Sequence, residues 1–196
     1  SIMKVNKEGE ILRQGILFNT EISRGKVFAL GERGYLVLTN VGAMFTLDLK
    51  STWFNDERTL EGFLPWYAVE AANKKDIYFG GFSANSGYKG SVLKRNEYGN
   101  KLWAKDLFYS TNIFGMAEMK NGDLLVYGKS INAGAYLAKL KGTDGSLVWS
   151  KSYTSTDGMI GNGMWYDPKT ESIYMSGGFT GSTYGFFIMK ADVDGN

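Results

Sequence analysis

The chain has 196 residues, with 22 Lys and Arg against 20 Asp and Glu, and neither His nor Cys. That composition excludes disulfides, Cys/His zinc sites and nucleophilic systems built on Cys or a Ser–His pair, and a net charge of +2 leaves no basic stripe for nucleic acid. Apolar runs as short as Tyr35–Leu38 and Leu124–Tyr127 exclude a membrane-spanning helix of roughly 20 residues, whereas 26 Gly, 2 Pro and 15% aromatics belong to a turn-rich β protein.

In chain order, Ser1–Gly9 reads as one lysine-bearing strand, Ile2–Asn6, and its turn. A turn at Gly31–Gly34 then leads into the apolar strand Tyr35–Leu38, and Leu47–Ser51 repeats the lysine strand's end without a turn glycine. Ala68, Ala71 and Ala72 would favour a helix over Trp66–Lys75. The corresponding segments Asn112–Lys120 and Met159–Tyr166 contain Gly and bulky residues, so a strand is expected in all three places. Short turns at Asn73–Asp76, Asn121–Asp123 and Asp167–Thr170 precede the next strands.

One frame accounts for this order. Asp123-Leu-Leu-Val-Tyr-Gly128 leads through Asn132-Ala-Gly134 to Ala135-Tyr-Leu-Ala-Lys139, then to Thr143-Asp-Gly145-Ser-Leu-Val-Trp149. The preceding copy runs Asp76–Gly81, Gly90–Lys94 and Tyr98–Trp103; the last runs Ser172–Gly178, Gly185–Lys190 and Val193–Asn196. Gly80, Gly128 and Gly177 lie 48 and 49 residues apart, and Trp103 and Trp149 lie 46 apart. Four strands in such a period is the spacing of β-propeller blades, about 40–50 residues. The strands Tyr35–Leu38, Ile77–Phe79 and Leu124–Tyr127 are apolar on both faces, as in a sheet sandwiched between neighbours. Lys4, Lys94, Lys139 and Lys190 recur at one position, and because lysine blocks sheet edges this strand is expected to be the outer one. Asp144-Gly145 and Asp194-Gly195 read as two-residue hairpin turns with both residues at positive φ. The fold class expected is therefore all-β: a β-propeller of about four four-stranded antiparallel blades. It forms one domain over 1–196, with repeats near 1–50, 51–99, 100–145 and 146–196, complete or part of a larger array.

Val92-Leu93-Lys94 with Gly99-Asn-Lys-Leu-Trp103, and Leu137–Leu140 with Asp144–Trp149, resemble the repeat of microbial surface β-propellers of the SBBP type. Leu140–Trp149 is also similar to the quinoprotein blade motif, in which a Gly-to-Trp run docks one blade on the next. The first resemblance implies an extracellular or cell-surface module. The second brings in quinoprotein dehydrogenases and outer-membrane assembly scaffolds. This chain departs from those in carrying about four blades where they have about eight, and in lacking the Cys pair of many such enzymes.

Trp103 and Trp149 are expected to be buried anchors between blades. Trp66 and Trp165, two periods apart, are the candidate ligand-binding residues, as a sugar-stacking surface or as blade packing. Asp192-Val-Asp194-Gly-Asn196 begins like a calcium loop but reads as a hairpin turn, so no metal or other cofactor is expected. Glu70 and Glu118 are the carboxylates placed for acid–base work, with nothing to complete a site. Counting strands leaves one surplus: Ile2, Met3, Lys4, Val5 and Asn6 are expected to complete a blade outside this segment, since Phe186–Ala191 already supplies an outer strand. The function expected is a non-catalytic binding or scaffold propeller, with a self-assembling structural subunit as the alternative and a quinone- or glycan-processing enzyme third. Its partners would be protein, including copies of itself, or glycans.

Overall fold

The structure, a computed structural model, describes residues 2–15, 26–30, 34–38, 42–45, 51–55, 63–83, 87, 89–107, 110–131, 134–179, 181 and 185–196. Every regular element among them is a strand. A hairpin, β1 (Ile2–Val5) and β2 (Ile11–Gly15), opens the chain. Three four-stranded antiparallel meanders follow. They are β3 (Lys26–Ala29), β4 (Tyr35–Leu38), β5 (Gly42–Phe45) and β6 (Ser51–Asn55); β7 (Phe63–Glu70), β8 (Ile77–Ser83), β9 (Lys89–Arg95) and β10 (Lys101–Leu107); and β11 (Ser110–Glu118), β12 (Leu124–Ser130), β13 (Gly134–Leu140) and β14 (Leu147–Thr154). A three-stranded sheet, β15 (Met159–Asp167), β16 (Ser172–Phe179) and β17 (Phe186–Ala191), closes it. Among the described residues no helix is long and apolar enough to cross a membrane.

The sheets stack as propeller blades do. First strands meet near a common axis: β11 lies against both β7 and β15. Apolar side chains on both faces of β8 and β12 fill the layers between sheets. Tyr78, Val92 and Trp103 of one blade pack with Ile113, Met116, Val126 and Tyr136 of the next. Leu125, Tyr127 and Leu137 pack in turn with Tyr166, Ile173, Met175 and Phe187. Leu30, Leu36 and Leu38 pack with Ile77, Phe79 and Leu93 on the other side. Such burial is worth roughly 1.5–3 kcal/mol per large side chain, which is what holds blades side by side.

The first strands β7, β11 and β15 share a bulge at one equivalent place. The register steps past Trp66 between Pro65 and Tyr67, past Phe114 between Ile113 and Gly115, and past Asn162 between Gly161 and Gly163. Opposite the bulge stand Gly81, Gly128 and Gly177. A Cβ there would lie 2.0, 2.1 and 2.1 Å from the carbonyl oxygens of Leu64, Asn112 and Ile160. The repeating glycine in the second blade is therefore Gly81, not Gly80.

The strand expected over Trp66–Lys75 ends at Glu70, and residues 72–75 form the turn. Four other expectations are corrected. The lysine strand is third, not outer: β9 and β13 pair on their far side with β10 and β14, with Lys94 opposite Trp103 and Lys139 opposite Trp149. Lysine suits the position because it has partners there. The Lys94 ammonium lies 3.3 Å from Asp76 and 4.8 Å from the Tyr78 ring centroid, and Lys139 lies 3.8 Å from Asp123. The turns carry positive φ at Gly145 and Gly195 but not at Asp144 or Asp194. A left-handed glycine closing a longer turn replaces the two-residue hairpin. The repeat windows end at 50, 99 and 145, between third and fourth strands, so each window after the first joins one blade's fourth strand to the next blade's first three. Finally, Ile2–Asn6 is not a lone surplus strand: β1 pairs with β2, Asn6 opens their turn, and Phe186–Ala191 is a third strand.

Candidate functional site

Two blade contacts show how the repeat residues are used. The Trp103 indole N–H donates to the Gly142 carbonyl at 3.1 Å, and Lys94 donates to the same oxygen at 3.0 Å. Next to them the Tyr78 hydroxyl donates to Glu118 at 3.2 Å, and the Ala72 amide donates to the same carboxylate. Burial first, and then the charge of Glu118, push the Tyr78 hydroxyl well above its ordinary pKa. Glu118 is thus a clasp between two blades, and Glu70 pairs with Lys74 at 3.0 Å. At the following contact Tyr153 donates to the Gly195 carbonyl at 2.7 Å, and Lys151 donates to the Asn196 side chain at 2.6 Å.

The structure places Trp66 and Trp165 on non-equivalent positions. Trp66 is the bulge residue of β7, half-buried, its ring 6.1 Å from Phe82. Trp165 stands three residues beyond the corresponding bulge residue, Asn162, and pairs with Tyr174 across the sheet. Their sheets are separated by β11–β14, so they form no common stacking surface. Trp165 instead belongs to the open face of the last sheet. Its ring stacks on Tyr174 at 5.4 Å and 29°, and the Lys190 ammonium lies 5.8 Å from the Tyr174 centroid. Phe186 and Ile188 of β17 share that face, both largely exposed. The sequence singled out Trp165 but missed Phe186 and Ile188. The sequence holds no signal for them, because Phe186–Met189 is apolar throughout and only the burial of β17 alternates, exposed, buried, exposed from Phe186.

Asp192 is a turn residue. Its carboxylate accepts the amides of Asp194 at 3.0 Å and Asn196 at 2.8 Å and the Asn196 side chain at 3.1 Å. Among the described residues no group of three acidic side chains is placed to hold a metal ion. A cavity of about 60 Å³ is lined by Phe63, Val92, Arg95 and the Ser91–Asp106 hydrogen-bonded pair at 2.5 Å. That is room for one or two waters, far below the roughly 300 Å³ of a substrate pocket. The arrangement that remains as a candidate is the open face Trp165, Tyr174, Phe186, Ile188 and Lys190, apolar with one cation.

No family model matches the sequence, and no curated protein does. Solved structures do. A protein of unknown function from Bacteroides thetaiotaomicron matches 93% of the chain at 13% identity and a TM-score of 0.60, over 44% of its own length. Sqt1 of Saccharomyces cerevisiae matches 95% at 10% identity and 0.64, over 54% of its length. The Dos1 propeller matches 88% at 9% identity and 0.58, over 46% of its length. The chain spans about half the length of these structures. The likeness shows the β-propeller fold.

Proposed function

We propose that the protein is a non-catalytic binding or scaffold module that recognises a protein partner outside the cell or at its surface. The observation that carries this reading is the open face of β15–β17, where Trp165, Phe186 and Ile188 stand exposed around the Tyr174–Lys190 pair. Contiguous exposed apolar side chains mark contact surfaces. Aromatic residues flanked by a cation suit a protein partner, and Trp is the residue most often found to dominate such contacts. A glycan needs several hydrogen-bonding groups beside the ring, whereas the exposed Phe186 and Ile188 beside Trp165 are apolar. The resemblance of the repeat to surface and secreted propellers supports the location. Glu118, held in a blade contact, and Glu70, paired with Lys74, support a non-catalytic reading.

The test compares wild type with Trp165→Ala and Ile188→Lys. Both side chains are exposed, so circular dichroism and melting should be unchanged, while binding of a protein partner identified with wild type falls at least tenfold. Turnover of chromogenic glycosides or of a quinone-coupled dye by the purified chain would overturn the reading.

A further inference from the structure

Two asparagines of the chain stand directly before glycine, Asn121 before Gly122 and Asn162 before Gly163. Such a pair carries a reaction of its own. The glycine amide nitrogen attacks the asparagine side-chain carbonyl carbon, and no Cβ on the glycine stands in the way. A C–N bond forms to Cγ, the Cγ–Nδ2 bond breaks, and the side-chain nitrogen leaves as ammonia with the proton of the glycine amide. Water then opens the resulting cyclic imide at either carbonyl, leaving aspartate or isoaspartate. The reacting atoms must first turn into contact, so hydrogen bonds that hold the side chain or the following amide oppose the step.

The fold ties down one pair and leaves the other loose. Asn121 lies in the turn between β11 and β12. Its Oδ1 accepts the Asp123 amide at 3.1 Å, and its Nδ2 donates to the Asp123 carboxylate at 2.8 Å. The Gly122 amide, the nitrogen that would attack, donates to the Met119 carbonyl at 2.9 Å. All three groups are committed. Asn162, by contrast, is the residue that the β15 ladder steps past. Among the described residues its side chain makes no hydrogen bond. A Cβ on Gly163 would meet only the Ser176 Oγ, at 3.7 Å, so the space beside this peptide is open. Exposure does not separate the two pairs, since Asn121 and Asn162 are both exposed. Nor is the access of water peculiar to the last sheet. Trp66 and Phe114 hold the same bulge position in sheets with a neighbour on each side, and both are half-buried rather than buried.

We infer that Asn162 is a site of spontaneous deamidation, through the imide it forms with Gly163, and that the turn at Asn121 protects that residue from the same reaction. The inference is independent of the binding-module reading. The product fits where it forms. Isoaspartate lengthens the main chain by a carbon, and the bulge is where β15 already carries a residue with none opposite it. The pairs on either side, Gly161 with Gly177 and Gly163 with Ser176, therefore persist. Aged protein is folded protein with a new negative charge at residue 162.

Peptide mapping by mass spectrometry of protein kept warm at mildly alkaline pH tests it, with labelling by an isoaspartyl methyltransferase as the second readout. In the folded protein Asn162 should convert at least tenfold faster than Asn121. In concentrated urea the two should convert at closely similar rates, because the dipeptide is the same and the hydrogen bonds of the turn are gone. Gly163→Ala should slow conversion at residue 162 at least tenfold with melting unchanged, since Gly163 takes no left-handed φ and its Cβ has room. Folded protein in which Asn121 converts as fast as Asn162, or in which Asn162 does not convert, overturns the inference. The same preference for Asn162 in urea overturns it too, because the flanking sequence rather than the fold would then set the order.

Discussion

Trp103 follows Gly99 by four residues, and Trp149 follows Gly145 by four. Trp103 is buried, hydrogen-bonded to Gly142 and laid over Gly145, where a Cβ would come within 2.6 Å of its ring. Trp149 is only half-buried, its indole nitrogen has no hydrogen-bond partner, and it lies against Gly195. The two were expected to be alike and differ in what they touch. Trp103→Ala should cost about 3–5 kcal/mol, as a large-to-small change in a core. Trp149→Ala should cost clearly less; urea denaturation measures both, and equal losses would show that burial is not what separates them. Gly128→Ala should cost at least about 2 kcal/mol by the same measurement, because its Cβ would collide with the Asn112 carbonyl oxygen rather than with a movable side chain. The mispairing of Trp66 with Trp165 also belongs to this scale. Two repeats of 48 residues carry Trp66 to Asn162, and Trp165 lies three residues further on. Periodicity showed a repeat, but only the bulge fixes which residues are equivalent, and a bulge leaves no composition signal.

The elements were legible because each is short, apolar and bounded by its turn. Which strand sits at an edge was not legible, since lysine at a fixed position fits an outer strand and a salt-bridged third strand equally. The turns show the same limit. Gly and Asx positions located them, but their type depends on hydrogen bonds that the sequence does not show. The Asp192 turn yields a pH prediction. Hydrogen bonds from the Asn196 amide and side chain hold its carboxyl below the ordinary carboxylate range, and the Ser146 amide does the same for Asp144. A depressed pKa gives stability that is present above the unfolded value, near 3.8, and lost as pH falls through the folded one. Asp192→Ala should therefore lower the urea midpoint at pH 6 more than at pH 2, and an equal drop at both would rule out the ionised carboxylate as the cause. Glu171 takes φ 52° at the turn between β15 and β16, where Gly122 takes φ 84° in the preceding blade. Glu171→Gly should be neutral to stabilising by up to about 1 kcal/mol, since glycine enters the left-handed region without the side-chain penalty.

At the scale of the whole molecule, the repeat gave a stack of blades but neither its phase nor its unequal cohesion. The phase was missed because the frame was cut at glycine turns, and those turns lie inside blades. Cohesion depends on neighbours. The sheet β11–β14 is covered on both faces: Val126 and Tyr136 pack toward the preceding blade, Tyr127 and Leu137 toward the following one. Among the described residues the last sheet is covered on one face alone, and the opening hairpin stands as a two-stranded sheet with exposed apolar side chains. Local opening costs less where fewer apolar contacts must be broken, so protection should follow this order. Hydrogen exchange read by mass spectrometry at low protein concentration should be slowest in β12 and β13. Exchange should be faster in β17, which among the described residues pairs on one side alone, and fastest in β1 and β2. Protection that is uniform from β1 to β17 at low concentration would mean that the blades open as a single cooperative unit, and the graded cohesion argued from their packing would be wrong.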